Sequence, residues 1–205
     1  MVPAKLSLEE VADRRRTILD AVTPVFAERG YEGTTVGDLE AASGLSRGGI
    51  FFHFGHKRTL YLEAIGRSFQ RLHETLAETE LPGGDAYEML LGSYVAMKRV
   101  REAHPDFFLL MNQMVAHRAT EPDLAALHAE LDEAEFGHYV EMIAARQAAG
   151  SLNPELDAEA IARAFGGIAG ELAEYALDHD EAATERLAAR MFEVLARGAE
   201  PRGAS

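Results

Sequence analysis

The sequence predicts an all-α fold of about nine helices, and three observations support this prediction. Apolar residues recur three and four positions apart through most of the chain, which is the spacing of one buried helix face. Residues that cap helix N-termini and residues that end helices recur along the chain. Alternating β-branched runs and Asn-Gly turns, the usual signs of strands and hairpins, do not occur in the 205 residues.

Three helices are predicted before residue 55. The first begins after Ser7, which forms a capping-box pattern with Glu10, and it ends near Gly30. The second covers residues 35–43, starts with a Thr-x-x-Asp pattern and is ended by the Gly-Leu pair at 44–45. The third covers residues 47–53.

Six more helices are predicted after residue 55. A long one covers about residues 57–80 and is followed by a Leu-Pro-Gly-Gly linker at 81–84. The other five are separated by Pro, Gly or Asp breaks and cover residues 85–103, 105–118, 122–149, 155–178 and 181–197. Residues 199–205 are expected to form a flexible tail.

The charge is unevenly distributed along the chain. The net charge is −14, yet residues 1–75 contain 10 basic and 10 acidic residues, so all the excess acid lies after them. No acidic residue occurs between Glu40 and Glu63, and this window contains Arg47, Lys57 and Arg58. An acid-free basic window on an acidic protein is a candidate surface for a polyanion, although chance spacing in a neutral segment gives the same pattern.

Composition excludes several kinds of site. The chain has no cysteine, so it forms no disulfide and has no Cys-ligated metal. His53 and His56 have no carboxylate nearby in sequence, and no phosphate loop or dinucleotide fingerprint occurs, so we expect neither a metal nor a cofactor. No apolar run is long enough to cross a bilayer and the first ten residues lack the apolar core of a secretory signal, so we expect a cytoplasmic location.

Two short helices joined by a tight glycine turn over residues 35–54 match a helix-turn-helix. Ile50 and Phe54 are expected to anchor the second helix, which leaves Arg47 outside in the first turn, where a guanidinium can form two hydrogen bonds with guanine. Gly48 and Gly49 are poor helix formers. Their presence predicts a close approach of the backbone to a DNA groove, and a frayed turn is the alternative.

Three further residues lie where helices begin. Thr35 and Lys57 stand at helix N-termini, where N–H groups and the helix dipole attract phosphate. The order Gly-Leu-Ser-Arg-Gly at 44–48 also fits a hydrolase nucleophile elbow, but that motif needs a strand before Ser46, and a helix is predicted there. We therefore interpret Ser46 as a helix cap and predict no enzyme activity.

The stretches FAERGYEGTTV at 26–36 and AASGLSRGGIFFHFGHKRTLY at 41–61 resemble the TetR family of bacterial transcriptional regulators. The resemblance implies that residues 47–53 form the recognition helix. Many family members have Tyr at position 51 or 52, and because Phe has no hydroxyl, we expect Phe51 to pack against a thymine methyl or sugar and Phe52 to be partly structural. The predicted DNA-binding residues are Thr35, Ser46, Arg47, Gly48, Gly49, Phe51, Phe52, His53 and Lys57.

The helix predicted at 155–178 carries two apolar stripes. The one with larger side chains suits the protein's own core, and the one with Gly166 and Gly170 suits close packing against a second copy of the chain. A helix buried on all sides in a monomer is the alternative. The residues expected at a dimer contact are Phe165, Gly166, Gly170, Ala173, Leu177, Leu187, Met191 and Val194.

The middle helices are rich in Met and aromatic residues, which line adaptable pockets but also fill cores. The family resemblance favours a pocket for a small-molecule effector. The residues expected to line it are Tyr94, Met97, Phe108, Met111, Met114, His117, Phe136 and Tyr139.

Together these observations predict a helix-turn-helix DNA-binding domain at residues 1–56 and a helical effector-binding and dimerisation domain at 57–198. We expect a homodimeric transcriptional repressor that a small-molecule effector releases from a palindromic double-stranded DNA operator, and no contact with membranes. The alternative is a helical small-molecule-binding or adaptor protein without DNA-binding activity.

Overall fold

A computed structural model describes residues 7–78 and 84–199 of the chain. These residues form helices joined by short turns and contain no strand. The helices are α1 (Leu8–Gly33), α2 (Val36–Ser43), α3 (Arg47–Phe54), α4 (Lys57–Ala77), α5 (Ala86–Ala103), α6 (Pro105–His117), α7 (Pro122–Ala148), α8 (Ala158–Asp178) and α9 (Glu181–Ala199). The predicted all-α fold is confirmed.

Local signals in the sequence explain where most helices begin. The Ser7–Glu10 and Thr35–Asp38 pairs both form complete capping boxes, and the Ser46 side chain accepts a hydrogen bond from the third residue of α3. Gly30 has φ of 69° and ψ of 175°, so the regular part of α1 ends there as predicted, although a last turn continues to Gly33.

The start of α8 differs most from the prediction. α8 begins at Ala158, three residues later than expected, because the Asp157 side chain accepts hydrogen bonds from the N–H groups of Glu159 and Ala160. Residues 81–83 of the linker predicted at 81–84, and residues 200–205 of the tail predicted at 199–205, lie outside the described residues.

The contacts divide the chain into two compact units. Residues 1–77 and 100–131 form the first unit, and residues 78–99 and 132–205 form the second. The expected functional boundary after residue 56 does not follow this division, because α4 and α6 both pack against α1 in the first unit. The boundary therefore stays a prediction about function.

The first unit has a core built around α1. Val22 and Phe26 of α1 are fully buried, and the ring centroids of Phe26 and Tyr61 on α4 lie 5.2 Å apart in an edge-to-face arrangement. Members of this core from the other helices are Leu39, Ile50, Phe54, Leu60, Ile65, Leu110, Met114 and Leu124. The helix-turn-helix is therefore fixed to the long helices of the same unit by apolar packing.

The second unit has a separate core. Phe165 of α8 and Phe192 of α9 stack with ring centroids 5.6 Å apart, and Tyr94 of α5 lies 5.6 Å from Phe192. Leu152 and Ile161 are buried in the same cluster. Among the described residues, no helix is long and apolar enough to cross a membrane.

Candidate nucleic-acid interface

The turn between α2 and α3 depends on one glycine. Gly44 has φ of 68° and ψ of 12°, the left-handed conformation that L side chains rarely adopt. Its N–H donates to the carbonyl oxygen of Glu40 at 2.9 Å, which ends α2. The chain then extends to Ser46 and starts α3, as a helix-turn-helix requires.

Apolar contacts hold the two helices in place. Leu39 of α2 and Ile50 and Phe54 of α3 are buried in the core of the first unit, as their spacing predicts, and Leu45 in the turn is half-buried against it. Ala42, which the helical pattern places inward, is exposed.

Arg47 and the two glycines after it lie at the surface. Arg47 is exposed, and its guanidinium carbon is 6.0 Å from the centroid of the Phe51 ring. A Cβ atom added at Gly48 would come no nearer than 4.0 Å to another side chain, and one added at Gly49 would make ordinary contacts from 3.6 Å. The fold therefore has room for a methyl group at both positions, so close packing within this unit does not explain the glycines.

The two phenylalanines of α3 have the reverse of the expected burial. Phe51 is half-buried and packs against the core of the first unit, whereas Phe52 is 82% exposed. The expectation that Phe52 is partly structural is wrong, because the rotation of α3 that buries Ile50 and Phe54 turns Phe52 outward. A large exposed aromatic ring on the same helix as the exposed Arg47 indicates a surface that contacts a partner.

His53 is held close to the start of α1. Arg15 donates to the carbonyl oxygen of His53 and to the carboxylate of Glu63, and its guanidinium carbon lies 4.4 Å from the centroid of the Phe54 ring. Burial, followed by the positive charges of Arg15 and Arg14, lowers the pKa of the His53 imidazole below its usual value. The sequence offered no signal for Arg15, since its partners on α3 and α4 are 38 and 48 positions away.

The N-termini of α2 and α3 already hold carboxylates of the chain itself. The Asp38 carboxylate accepts hydrogen bonds from the hydroxyl and the backbone N–H of Thr35. These two hydrogen bonds, the hydroxyl one first, hold the pKa of the Asp38 carboxyl below its usual value. Glu40 Oε1 accepts from the N–H of Arg47 at 2.6 Å, while Ser46 Oγ accepts from the N–H of Gly49 at 3.4 Å. Phosphate contacts are therefore less favourable at these two N-termini than the sequence indicates.

The basic window divides into two parts. Lys57, the first residue of α4, lies with its Nζ atom 4.4 Å from the centroid of the Tyr31 ring, and the first turn of α4 has no acidic residue. Arg58 donates from Nε and Nη2 to Asp123 at 2.7 and 2.5 Å and also pairs with Glu121. Lys57 thus remains a candidate phosphate contact, whereas the charge of Arg58 is neutralised at the start of α7.

The predicted effector-binding residues do not form one cavity within either unit. Phe108, Met111, Met114 and His117 belong to the first unit, where Met114 is buried in the core and His117 is exposed. Tyr94, Phe136 and Tyr139 belong to the second unit, as does Met97, whose side chain is outside the described residues.

The surface of the described residues includes grooves in both units. One of about 400 Å³ in the first unit is lined by Asp20, Pro24, Arg71, Pro105 and Asp106. Another, of about 430 Å³ in the second unit, is lined by Tyr87, Ala189, Arg190, Glu193, Ala196 and Arg197. Neither groove includes a predicted effector-binding residue, so that set stays a prediction.

The predicted dimer residues fall on different faces of α8 and α9. Phe165 is 2% exposed and lies in the core of the second unit, where its ring cannot form the main contact with a second copy. Gly166 and Gly170 are exposed on α8, and Val194 of α9 is 74% exposed. Leu187 and Met191 are half-buried against the core, and the side chains of Ala173 and Leu177 are outside the described residues.

Among the described residues, no three His, Asp or Glu side chains are grouped so that they could hold a metal ion. The side chains exposed on α3 include a guanidinium and an aromatic ring. This arrangement suits recognition of a nucleic-acid surface.

Comparison with known proteins gives a match in the same region. Residues 18–64 match the family model described as "Bacterial regulatory proteins, tetR family". This match covers the second half of α1, all of α2 and α3, and the start of α4.

Curated relatives are similar over the N-terminal part. The HTH-type transcriptional repressor AcnR of Corynebacterium efficiens is 44% identical over 73 residues, which are 36% of this chain and 39% of that protein. The HTH-type transcriptional repressor Rv1474c of Mycobacterium tuberculosis is 40% identical over 79 residues, which are 38% of this chain and 42% of that protein. The alignments therefore span about two fifths of the length of these curated relatives.

Solved structures are similar over almost the whole chain. A TetR-family regulator from Cytophaga hutchinsonii superimposes with a TM-score of 0.79 at 20% identity, covering 96% of this chain and 98% of that one. GusR of Salmonella enterica superimposes with a TM-score of 0.71 at 23% identity, covering 93% and 98%. At these identities the likeness shows the fold, which this chain shares from α1 to α9.

Proposed function

We propose that this chain is a DNA-binding transcriptional repressor of the TetR family, whose model residues 18–64 match. The observation that carries the proposal is the outer face of α3, where Arg47 and Phe52 are exposed on a helix that Ile50 and Phe54 fix to the core. A guanidinium in this position suits hydrogen bonds with guanine, and an exposed phenyl ring suits a thymine methyl or a sugar.

The remaining contacts follow from the same face. Arg47 and the backbone of Gly48 and Gly49 read base edges, and Phe52 packs against the groove wall. Lys57 and His53 contact the DNA backbone, since Lys57 is a basic residue at the start of α4 and His53 lies in the last turn of α3. Thr35 and Ser46 act mainly by capping α2 and α3, which keeps these helices in register.

We further propose a homodimer that binds a palindromic operator. Two copies of α3 related by a two-fold axis meet major grooves about one helical turn apart or a multiple of it. The exposed glycines of α8 and Val194 of α9 support an interface on these two helices, because small residues allow close helix packing and an exposed valine favours burial.

A small-molecule effector completes the proposal. It binds the DNA-released form more tightly and so shifts the population away from the form that fits both half-sites. The Met and aromatic residues of the middle helices support an apolar effector site. A regulator of chromosomal genes works in the cytoplasm, which is where we place this protein.

The proposal is tested by retardation of DNA fragments taken from the promoters of genes adjacent to this one, at moderate salt. We expect one or more fragments to be retarded in the presence of excess unrelated duplex, with a half-maximal protein concentration far below that for the unrelated duplex. Retardation of no fragment, together with retained binding of small molecules, would instead favour a ligand-binding protein without DNA-binding activity.

A further inference from the structure

A carboxylate of α2 occupies the N-terminus of the helix proposed to read DNA. Glu40 Oε1 accepts the N–H of Arg47 at 2.6 Å, and the Glu40 carbonyl oxygen accepts the N–H of Gly44 at 2.9 Å. Glu40 is half-buried, so its side chain is fixed between α2 and the start of α3. Glu40 therefore binds both Gly44, which ends α2, and the first residue of α3.

The carboxylate changes what this helix end can attract. A helix N-terminus has a partial positive charge of about half an elementary charge and commonly binds phosphate. The full negative charge of Glu40 outweighs it, and a DNA phosphate in the same place would lie within a few ångströms of a second anion. At such a distance like charges repel strongly even near the surface.

The N-termini of the neighbouring helices α2 and α4 differ in charge. The first turn of α2 contains the carboxylate of Asp38, whereas the first turn of α4 contains Lys57 and no acidic residue. Phosphate contacts give affinity for every sequence, and base contacts give specificity. The carboxylates near α3 thus disfavour phosphate contacts, which do not depend on base sequence. Lys57 of α4 remains as a phosphate contact that positions the protein on DNA.

We propose that Glu40 is a specificity-determining residue. Its carboxylate keeps DNA phosphates away from the N-terminus of α3, so that α3 gains affinity only at sequences whose bases form hydrogen bonds with Arg47. This inference rests on the proposed function, because it needs α3 to bind DNA. In this mechanism Glu40 does not contact the bases. It acts by repelling DNA phosphates that lie close to the N-terminus of α3.

The experiment uses the full chain, an operator duplex that the wild type selects from a random-sequence library, and a scrambled duplex of the same composition. Glu40→Gln removes the charge and keeps an amide oxygen that accepts the Arg47 N–H. We expect affinity for the scrambled duplex to rise about eightfold at 0.1 M salt, because one negative charge fewer opposes the backbone phosphates. The slope of log K against log salt should steepen by about one for this duplex.

The Glu40→Gln substitution should affect operator binding less than binding to the scrambled duplex. In the specific complex base contacts fix α3 in the groove, so operator affinity should change less than twofold and the operator-to-scrambled ratio should fall about eightfold. Glu40→Asp keeps the charge and should retain most of the wild-type ratio. Glu28→Gln removes the same charge at an exposed position of α1 and should leave both affinities within twofold of the wild type.

The outcomes separate the two proposals. A wild type that selects no duplex overturns the proposed function, and this inference falls with it. A wild type that selects an operator, with a Glu40→Gln variant of unchanged ratio and unchanged salt slope, overturns the inference alone. A Glu40→Gln variant with a lower unfolding midpoint and wild-type slope also overturns it, because Glu40 is then only a structural cap.

Discussion

At the scale of single residues, Arg47 and Lys57 have different roles in the proposed complex. Both are basic and lie at the first position of a helix, but Arg47 is exposed on α3, whereas Lys57 lies over the Tyr31 ring at the start of α4. A residue that reads bases and a residue that contacts the backbone affect binding in distinguishable ways.

Arg47→Ala should weaken operator binding by about 1–3 kcal/mol and relax the preference at one base pair of each half-site. The reason is the loss of two hydrogen bonds to guanine. Titrations of the operator and of duplexes substituted at single positions measure both effects. A neutral Arg47→Ala substitution would show that α3 is not the recognition helix.

Lys57→Ala is the matched comparison. It should weaken all duplexes by a similar factor and reduce the salt slope by about one, because it removes one phosphate contact and no base contact. Binding measured from 0.05 to 0.3 M salt gives the slope. A loss confined to the operator would contradict the assignment of Lys57 to the backbone.

His53 makes stability depend on pH. Burial and the nearby Arg15 and Arg14 lower the imidazole pKa in the folded chain, so the unfolded chain binds more protons in the range below the ordinary value of 6.5. The free energy of unfolding therefore falls as pH drops from about 6.5 towards the folded pKa, and the effect is absent at higher pH. Unfolding midpoints from pH 8 to pH 5 should decrease less in His53→Gln than in the wild type. Equal decreases would show that His53 does not contribute.

At the scale of the element, the helix-turn-helix contains glycines of two kinds. Gly44 is required by its backbone conformation, since φ is 68°. Gly48 lies in a helix with space for a side chain, so its presence has no reason within the folded chain. The two positions therefore form a matched pair for substitution by alanine.

Gly44→Ala should destabilise the fold by about 1 kcal/mol, because a Cβ is strained in the left-handed region. Gly48→Ala should stabilise it by about 0.5 kcal/mol through helix propensity, yet weaken operator binding about tenfold, because the methyl group keeps α3 further from the groove. Thermal unfolding and operator titration measure the two quantities. A Gly48→Ala variant with unchanged operator affinity would mean that the backbone does not approach the bases closely.

Ion pairs join α4 to the start of α7. Arg58 is bound by two carboxylates near the start of α7, and its hydrogen bonds lower the pKa of the Asp123 carboxyl. Lys57, the proposed phosphate contact, and Arg58, which forms these ion pairs, are consecutive residues at the beginning of α4. The position of α4 is thus set by contacts within the first unit as well as by DNA.

At the scale of the whole molecule, the charge is divided along the chain. The net charge of −14 comes entirely from residues after 75, so the rest of the chain repels DNA while the N-terminal part is neutral. This division favours contact with DNA through the N-terminal part alone. A dimer then presents two such parts to one duplex.

Gly170→Glu should convert the dimer to monomers without unfolding the subunit. Gly170 is exposed, and a Cβ there would meet nothing within 4 Å in its own chain, so the substitution affects only a partner across the proposed α8 interface. Two like charges at a two-fold contact repel each other. Light scattering measures the mass, and circular dichroism confirms the helix content.

Gly137→Glu is the control for this substitution. Gly137 is also an exposed helical glycine with open space around its Cβ position, but it lies on α7. This variant should remain dimeric. A Gly170→Glu variant that keeps the dimer mass would place the interface elsewhere.

The sequence by itself determined the helices and the helix-turn-helix. Caps such as Ser7, Thr35 and Ser46, and the positive-φ glycine at 44, act within a few residues of their own positions, so local pattern is enough to find them. The family resemblance over residues 26–61 depends on the same short-range motifs.

Only the tertiary structure decided which side chains around α3 remain available. Arg15 donates to α3 from 38 positions away, and Arg58 is bound by a carboxylate 65 positions away. The residues predicted to bind an effector are likewise spread over two compact units. These outcomes depend on how distant helices pack, and the spacing of residues along one helix contains no information about its neighbours.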